Sequence, residues 1–264
     1  MASFAPHLHR PHTVTFDCWA TLLYESEETR DPDARARSFA ATVGVSIEAA
    51  RAAARVAWRE HQMLWHRRVV FSGADMTRMT LRTLGVTLDP GREAALVEQL
   101  EDQILERDVF PIDGALPALE TLARRGVRRA LICDTGFTPG RVVRKLLDRV
   151  GLLEHLEVTI FSDETRVPKP HPTAFQSALA GLGVQAKGAV HVGDLRRSDI
   201  AGARGAGMGS IRLRARHDDS DAGPSRSSGV IDCKTAGCEP VCERPEADAV
   251  ADSFEHMLEI LGYG

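Results

Sequence analysis

A chain of 264 residues with 43% apolar and 27% charged side chains has the balance of a soluble globular protein, with room for one large domain or a domain carrying a smaller insert. Collagen-like and disordered architectures are excluded. Lysine and arginine number 33 against 37 acidic residues, a net charge of −4, so no global positive field gathers nucleic acid or anionic lipid, and an anionic ligand must be held locally. No apolar run approaches the ~18 residues of a membrane span, and residues 1–11 lack the apolar core of a secretory signal, which predicts a cytoplasmic protein. Five cysteines, an odd number, do not suggest a disulfide framework.

Residues 13–17, a β-branched and aromatic run closed by a carboxylate, predict a buried strand that delivers Asp17 to its carboxyl end. From 26 to 107 the pattern becomes helical, with interruptions at Gly44, Gly73, Gly85 and Pro90–Gly91, and predicts four helices and no strand. Beyond Pro111, predicted helices at 115–125, 139–150, 172–182 and 198–206 alternate with strands at 127–134, 158–161, 189–192 and 209–213. Strands separated by single helices form βαβ units, so the fold class is α/β with a parallel, Rossmann-like sheet, whose ligands gather at the carboxyl ends of the strands. Residues 214–246, rich in Asp, Ser, Gly, Pro and Cys, predict an exposed insertion; a strand at 249–251 and a helix at 253–261 complete the chain.

Four segments carry chemistry: Phe-Asp-Cys-Trp-Ala-Thr-Leu at 16–22, Cys-Asp-Thr-Gly at 133–136, Lys169 within Val-Pro-Lys-Pro, and Gly-Asp-Leu-Arg-Arg-Ser-Asp at 193–199. Each follows a predicted strand or lies in the loop after one, so a parallel sheet brings all four to one rim. In this order, with a helical insert between the first and second, they resemble the haloacid dehalogenase superfamily of hydrolases. The resemblance implies a core formed by residues 12–24 and 110–264, with 25–109 as an all-α cap inserted after the first strand.

It also implies roles. Asp17 would be the nucleophile that attacks phosphorus and forms a labile aspartyl phosphate. Mg²⁺ would be held by Asp17, the Trp19 carbonyl and Asp194, with Asp199 orienting that shell from behind. Lys169 would neutralise the nucleophile and the charge developing on the transferred group. Thr21 would hold the first loop, and Thr135 with Gly136 would contact the transferred group. Taken alone, a strand-end Asp is more often a turn or a cap, and Asp199 and Thr21 each have such an ordinary reading.

The chain departs from the family in two places. Phosphatases of this superfamily carry a second Asp two residues after the nucleophile, a general acid for the leaving group; here that position is Trp19, which transfers no proton at neutral pH. The acid then comes from the helical insert, or the leaving group has a low pKa, or the reaction is not ester hydrolysis. Dehalogenases of the superfamily also lack this Asp but need no metal, whereas Asp194 and Asp199 favour Mg²⁺. Residues 1–144 contain no lysine, which argues against the Schiff base of the phosphonatases. In the second motif, where the family places Ser or Thr, counting gives Cys133 and Asp134, with Thr135 one place beyond. Cys133 and Thr135 share strand parity, and Thr135 is preferred because a hydroxyl donates the better hydrogen bond.

Within the insert, Trp58, His61, Trp65, His66, Arg67 and Arg68 form the densest aromatic and cationic cluster, and helical spacing puts Trp58, His61 and Trp65 on one face. Helix packing with solvated arginines is the ordinary reading. His61 and Arg68 as substrate contacts, with His61 or His66 as the replacement acid, is the functional one. Cys233, Cys238 and Cys242 lie close enough to suggest Zn²⁺, with His217 or Asp232 completing the set, although a reduced loop is the ordinary reading. His7, His9 and His12 read as a flexible leader rather than a metal site. The function expected is Mg²⁺-dependent hydrolysis of a small phosphorylated metabolite. A haloacid dehalogenase and a non-catalytic binding protein stand as alternatives.

Overall fold

A computed structural model describes residues 6–28, 30–216, 219 and 245–264. The candidate Zn²⁺ ligands Cys233, Cys238, Cys242, His217 and Asp232 lie outside the described residues.

The first strand, β1 (Thr13–Phe16), leads through a tight loop to β2 (Leu23–Glu25). Four helices follow, α1 (Ala34–Val43), α2 (Ile47–His66), α3 (Gly73–Thr83) and α4 (Pro90–Asp102), and then β3 (Val109–Pro111). β2 and β3 pair antiparallel where the chain leaves and re-enters the helical segment, and Arg107 clamps the pair with a 2.6 Å bond to Glu25. Three-residue strands are too short to show an alternation, which is why this ribbon is invisible in the sequence.

The remaining elements are α5 (Ala115–Arg124), β4 (Arg128–Cys133), α6 (Gly140–Arg149), β5 (Val158–Phe161), α7 (Ser162–Thr165), α8 (Pro172–Leu182), β6 (Ala189–Gly193), α9 (Ala201–Gly205), β7 (Gly209–Leu213), β8 (Ala249–Ala251) and α10 (Phe254–Ile260). Six strands form one parallel sheet in the order β5-β4-β1-β6-β7-β8, so β1 sits in the middle and Phe16 pairs with both Leu131 and Val192. Alternate residues of β4 serve opposite faces. Leu131 and Cys133 pack against α5, α6 and α10, whereas Ala130 and Ile132 pack against α8 and α9.

The four inserted helices have a separate apolar cluster built on Phe39, Leu81, Leu96 and Leu100. Their starts are set by side chains: Ser46 accepts from Ala49, Ser72 and Asp75 form a reciprocal capping box, and Asp89 caps α4 ahead of Pro90. The helix expected at 198–206 begins two residues earlier as a π-helical turn over Arg196–Ile200, a widening that recurs at functional sites. Among the described residues no helix is long and apolar enough to cross a membrane.

Candidate active site

Asp17 immediately follows β1, and its N–H donates to the Val192 carbonyl of the neighbouring strand at 2.9 Å. Asp194 and Asp199 come from the loop after β6, so two adjacent parallel strands deliver three buried carboxylates to one rim, with oxygens within 4.8 Å of one another. Lys169, from the loop between α7 and α8, inserts its ammonium among them and donates to Asp17 Oδ1 and, at 2.6 Å, to Asp199 Oδ1. The ammonium is almost sealed from water, at 2% exposure.

This arrangement is electrostatically unbalanced. Burial pushes the Asp17 carboxyl well above its ordinary value; Lys169 opposes that push, while Asp199 and Asp194 add to it. For Lys169, burial favours loss of the proton, but Asp17, Asp199 and Asp134 outweigh it and hold the ammonium well above its ordinary value. Asp199 goes the other way: burial raises it, yet Lys169 and His191 together pull it down.

Beneath the carboxylates runs a buried polar chain not foreseen from the sequence. His191 faces Thr15 across β1 and β6, its Nδ1 2.8 Å from Thr15 Oγ1 and its Nε2 3.4 Å from Asp199 Oδ1. Burial lowers the His191 pKa against the opposing pull of Asp199. A His inside the otherwise apolar strand Ala-Val-His-Val-Gly was the available signal, since a buried imidazole needs partners. Asp199 also accepts from the Leu195 N–H at 2.9 Å and so closes its own loop.

Gly193 exists for this packing, because a Cβ there would overlap the Asp199 side chain. Gly193→Ala should therefore displace Asp199 from Lys169. The expected result is a loss of about 1–3 kcal/mol in urea unfolding, together with the loss of most activity.

The second motif departs from expectation. β4 ends at Cys133, so the extended parity that would aim Cys133 and Thr135 together does not continue. The Cys133 thiol lies in the core, where it donates to the Asp134 carbonyl at 3.5 Å, and its hydrogen-bonding neighbour Cys18 together with burial pushes its pKa up. The Thr135 hydroxyl is engaged by Ser162 Oγ at 3.1 Å and Asp163 Oδ1 at 2.9 Å, with only the residue's remaining surface lining the adjacent pocket. Asp134 takes the central place, accepting from the Lys169 N–H and from the Trp65 indole N–H, each at 2.9 Å.

That indole belongs to α2 and lies under the Arg197 guanidinium at 3.4 Å, so the inserted helices meet the sheet rim directly. Between them is a cavity of about 310 Å³ whose lining includes Trp19, Trp58, His61, Trp65 and Gly136. Trp58, His61 and Trp65 thus share one face, as their spacing predicts. His61 Nδ1 donates to the Phe71 carbonyl at 2.9 Å, which fixes the proton there and leaves the Nε2 lone pair toward Gly136. Burial lowers the His61 pKa against the opposing Phe71 hydrogen bond, which weighs against the ring as the replacement acid.

Arg68 is a correction. α2 stops at His66, the chain turns through a left-handed residue at Arg68 (φ 62°), and the side chain is exposed, outside the cavity lining. The cavity's cations are Arg30 and Arg35 instead. Thr21 is fully buried in the first loop, and its hydroxyl has no hydrogen-bond partner among the described residues.

Comparison with known proteins agrees with this geometry. The profile of the haloacid dehalogenase-like hydrolases matches residues 11–207. The glyceraldehyde 3-phosphate phosphatase of Methanopyrus kandleri is 31% identical over 156 residues, 58% of this chain and 64% of that protein. The phosphoserine phosphatase of Thermus thermophilus is 30% identical over 168 residues, 57% of this chain and 66% of that protein. The chain thus spans less than two thirds of the length of these curated relatives. Among solved structures, a 2-haloacid dehalogenase from Pseudomonas syringae superposes with a TM-score of 0.63 at 22% identity, covering 95% of this chain and 97% of that one, a likeness of fold.

Proposed function

The chain belongs to the haloacid dehalogenase-like hydrolase family, and we propose that it is a cytoplasmic, Mg²⁺-dependent phosphatase that hydrolyses a small phosphorylated metabolite through an aspartyl phosphate on Asp17. The observation that carries this reading is the buried set Asp17, Asp194 and Asp199 around a single ammonium.

The donor set fits a hard dication. Three converging carboxylates share one lysine, and the repulsion from Asp199 and Asp194 adds to the burial that raises Asp17. Asp17, Asp194 and the Trp19 carbonyl would hold Mg²⁺, with Asp199 behind them, and the ion would supply positive charge that lets an anionic substrate approach an anionic nucleophile. The chain's own residues do the rest. A carboxylate oxygen of Asp17 bonds to phosphorus as the ester oxygen leaves with its electron pair. Lys169 favours the ionised form of Asp17 against the burial that opposes it, and offsets charge on the transferred group. Water then attacks phosphorus and returns Asp17. The helices α1–α4 act as the cap, and their closure on the rim excludes water from the first step.

Trp19 is the feature shared with a dehalogenase, but such an enzyme has no use for Asp194 and Asp199 as a metal pair. Acetyl phosphate, which needs no general acid, separates the readings. Its hydrolysis should require Mg²⁺ and stop with EDTA. Release of chloride from 2-chloropropionate in EDTA, without phosphatase activity, would replace this reading with dehalogenation.

A further inference from the structure

We propose that the alcohol half of the substrate is a flat aromatic ring carrying a carboxylate, so that the enzyme cleaves an aryl phosphate whose leaving group needs no proton from the protein. The inference rests on the hydrolase reading above and names its substrate class.

All three tryptophans of the chain, Trp19, Trp58 and Trp65, line this cavity beside the carboxylate cluster, and Phe137 joins them. Packing among the helices does not require this, because α1–α4 already have their own apolar cluster without a tryptophan. Walls of this kind bury a planar ring by stacking and offer little to a flexible polyol.

The cavity also contains polar groups that the protein itself leaves unsatisfied. Gln62 is 5% exposed, and its Oε1 has no hydrogen-bond partner among the described residues. Arg35 lies over the Phe137 ring at 4.3 Å, and its Nε has no hydrogen-bond partner among the described residues. Burial, with Arg107 nearby, lowers the Arg35 pKa to about 10, still charged at neutral pH. Among the described residues the carboxylate that opposes that charge, Glu25, is already bonded to Arg107. A guanidinium in this position is completed by an anion on the ligand, and its planar fork suits a carboxylate.

The missing acid leads to the same class. Trp19 transfers no proton, and His61 presents a lone pair rather than an N–H. An aliphatic alkoxide is a poor leaving group without protonation, whereas a phenol ionises at about pH 10. In the step proposed, Asp17 forms the new P–O bond and the aryl oxygen departs with the electron pair as a phenolate. Water then bonds to phosphorus, gives one proton to solvent, and releases phosphate as the electron pair returns to Asp17.

The test compares kcat/KM in Mg²⁺ for acetyl phosphate, cyclohexyl phosphate, phenyl phosphate and 4-carboxyphenyl phosphate. Phenyl phosphate should exceed its saturated analogue by about 100-fold, and the carboxylated ester should exceed phenyl phosphate by about tenfold. In Arg35→Gln that last ratio should fall to about one. Acetyl phosphate turnover in the same variant shows that it is folded, and Arg35→Met, which keeps the stem on Phe137, replaces it if it is not. Equal turnover of cyclohexyl and phenyl phosphate, or an unchanged carboxylate preference in the variant, would overturn the proposal while leaving the phosphatase reading intact. Failure of every substrate, acetyl phosphate included, would remove the phosphatase reading and this one with it.

Discussion

Asp17→Asn is expected to lower Mg²⁺-dependent turnover by about 10⁴-fold or more, because the amide cannot form the phosphoryl-enzyme bond. Stability should not fall with it. Asp17 is buried and its carboxyl is raised, so the folded state disfavours the ionised form. The linkage has a definite sign: a raised carboxyl favours folding below its unfolded value of 3.8, and that advantage is lost as pH rises through the folded value. Metal-free wild type should therefore lose stability over that window, and Asp17→Asn should lose less. Lys169 keeps Asp199 as a partner in the variant. Thermal unfolding in EDTA from pH 4 to 8, run for both proteins beside the acetyl phosphate assay, measures the two effects. An Asn variant that retained more than about one per cent of turnover would rule out Asp17 as the nucleophile.

Lys169→Met should be damaging in both respects. The ammonium is the shared partner of Asp17 and Asp199 and lies near Asp134, and methionine fills much of its volume without charge. Removing one partner of a buried ionic cluster costs about 3–5 kcal/mol, here a fall in melting temperature of roughly 10 °C at pH 7. Because the folded pKa of Lys169 is raised, its contribution is fully present at neutral pH and is lost only as pH rises through that value. The deficit in Lys169→Met should thus be near its maximum at pH 7 and shrink in acid, where the stranded carboxylates take up protons. Added Mg²⁺ should restore part of the melting temperature, since it supplies charge to the same oxygens, but not the turnover. A variant as stable as wild type in EDTA at pH 7 would contradict the charge balance described here.

Asp17, Lys169, Asp194 and Asp199 could be located from sequence because parallel sheets place strand-end residues on one rim. Residue type and position after a strand were enough, and the order of the four segments pointed to the family. The second motif was less legible. Strand parity holds only while the backbone stays extended, and β4 ends at Cys133, so the contact of Asp134 with the Lys169 backbone could not be read from it. His191 escaped notice for a related reason. Its partner Thr15 is 176 residues away in sequence and becomes a neighbour only through the register of β1 and β6.

The helical insert shows the division most clearly. Its spacing predicts that Trp58, His61 and Trp65 share a face, which is a property of one helix. The residues that face them are set by how α1 and α2 pack on the rim. That packing brings in Arg35 and turns Arg68 out to solvent beyond the end of α2. By itself, then, the sequence determined the α/β class, the helical segment between β1 and β4 and the segments that follow the strands, because each depends on local periodicity and strand polarity. The tertiary structure alone decided the lining of the cavity, the proton position on His61 and the charge states around Lys169. These depend on burial and on contacts between segments far apart in the chain, to which local patterning is blind.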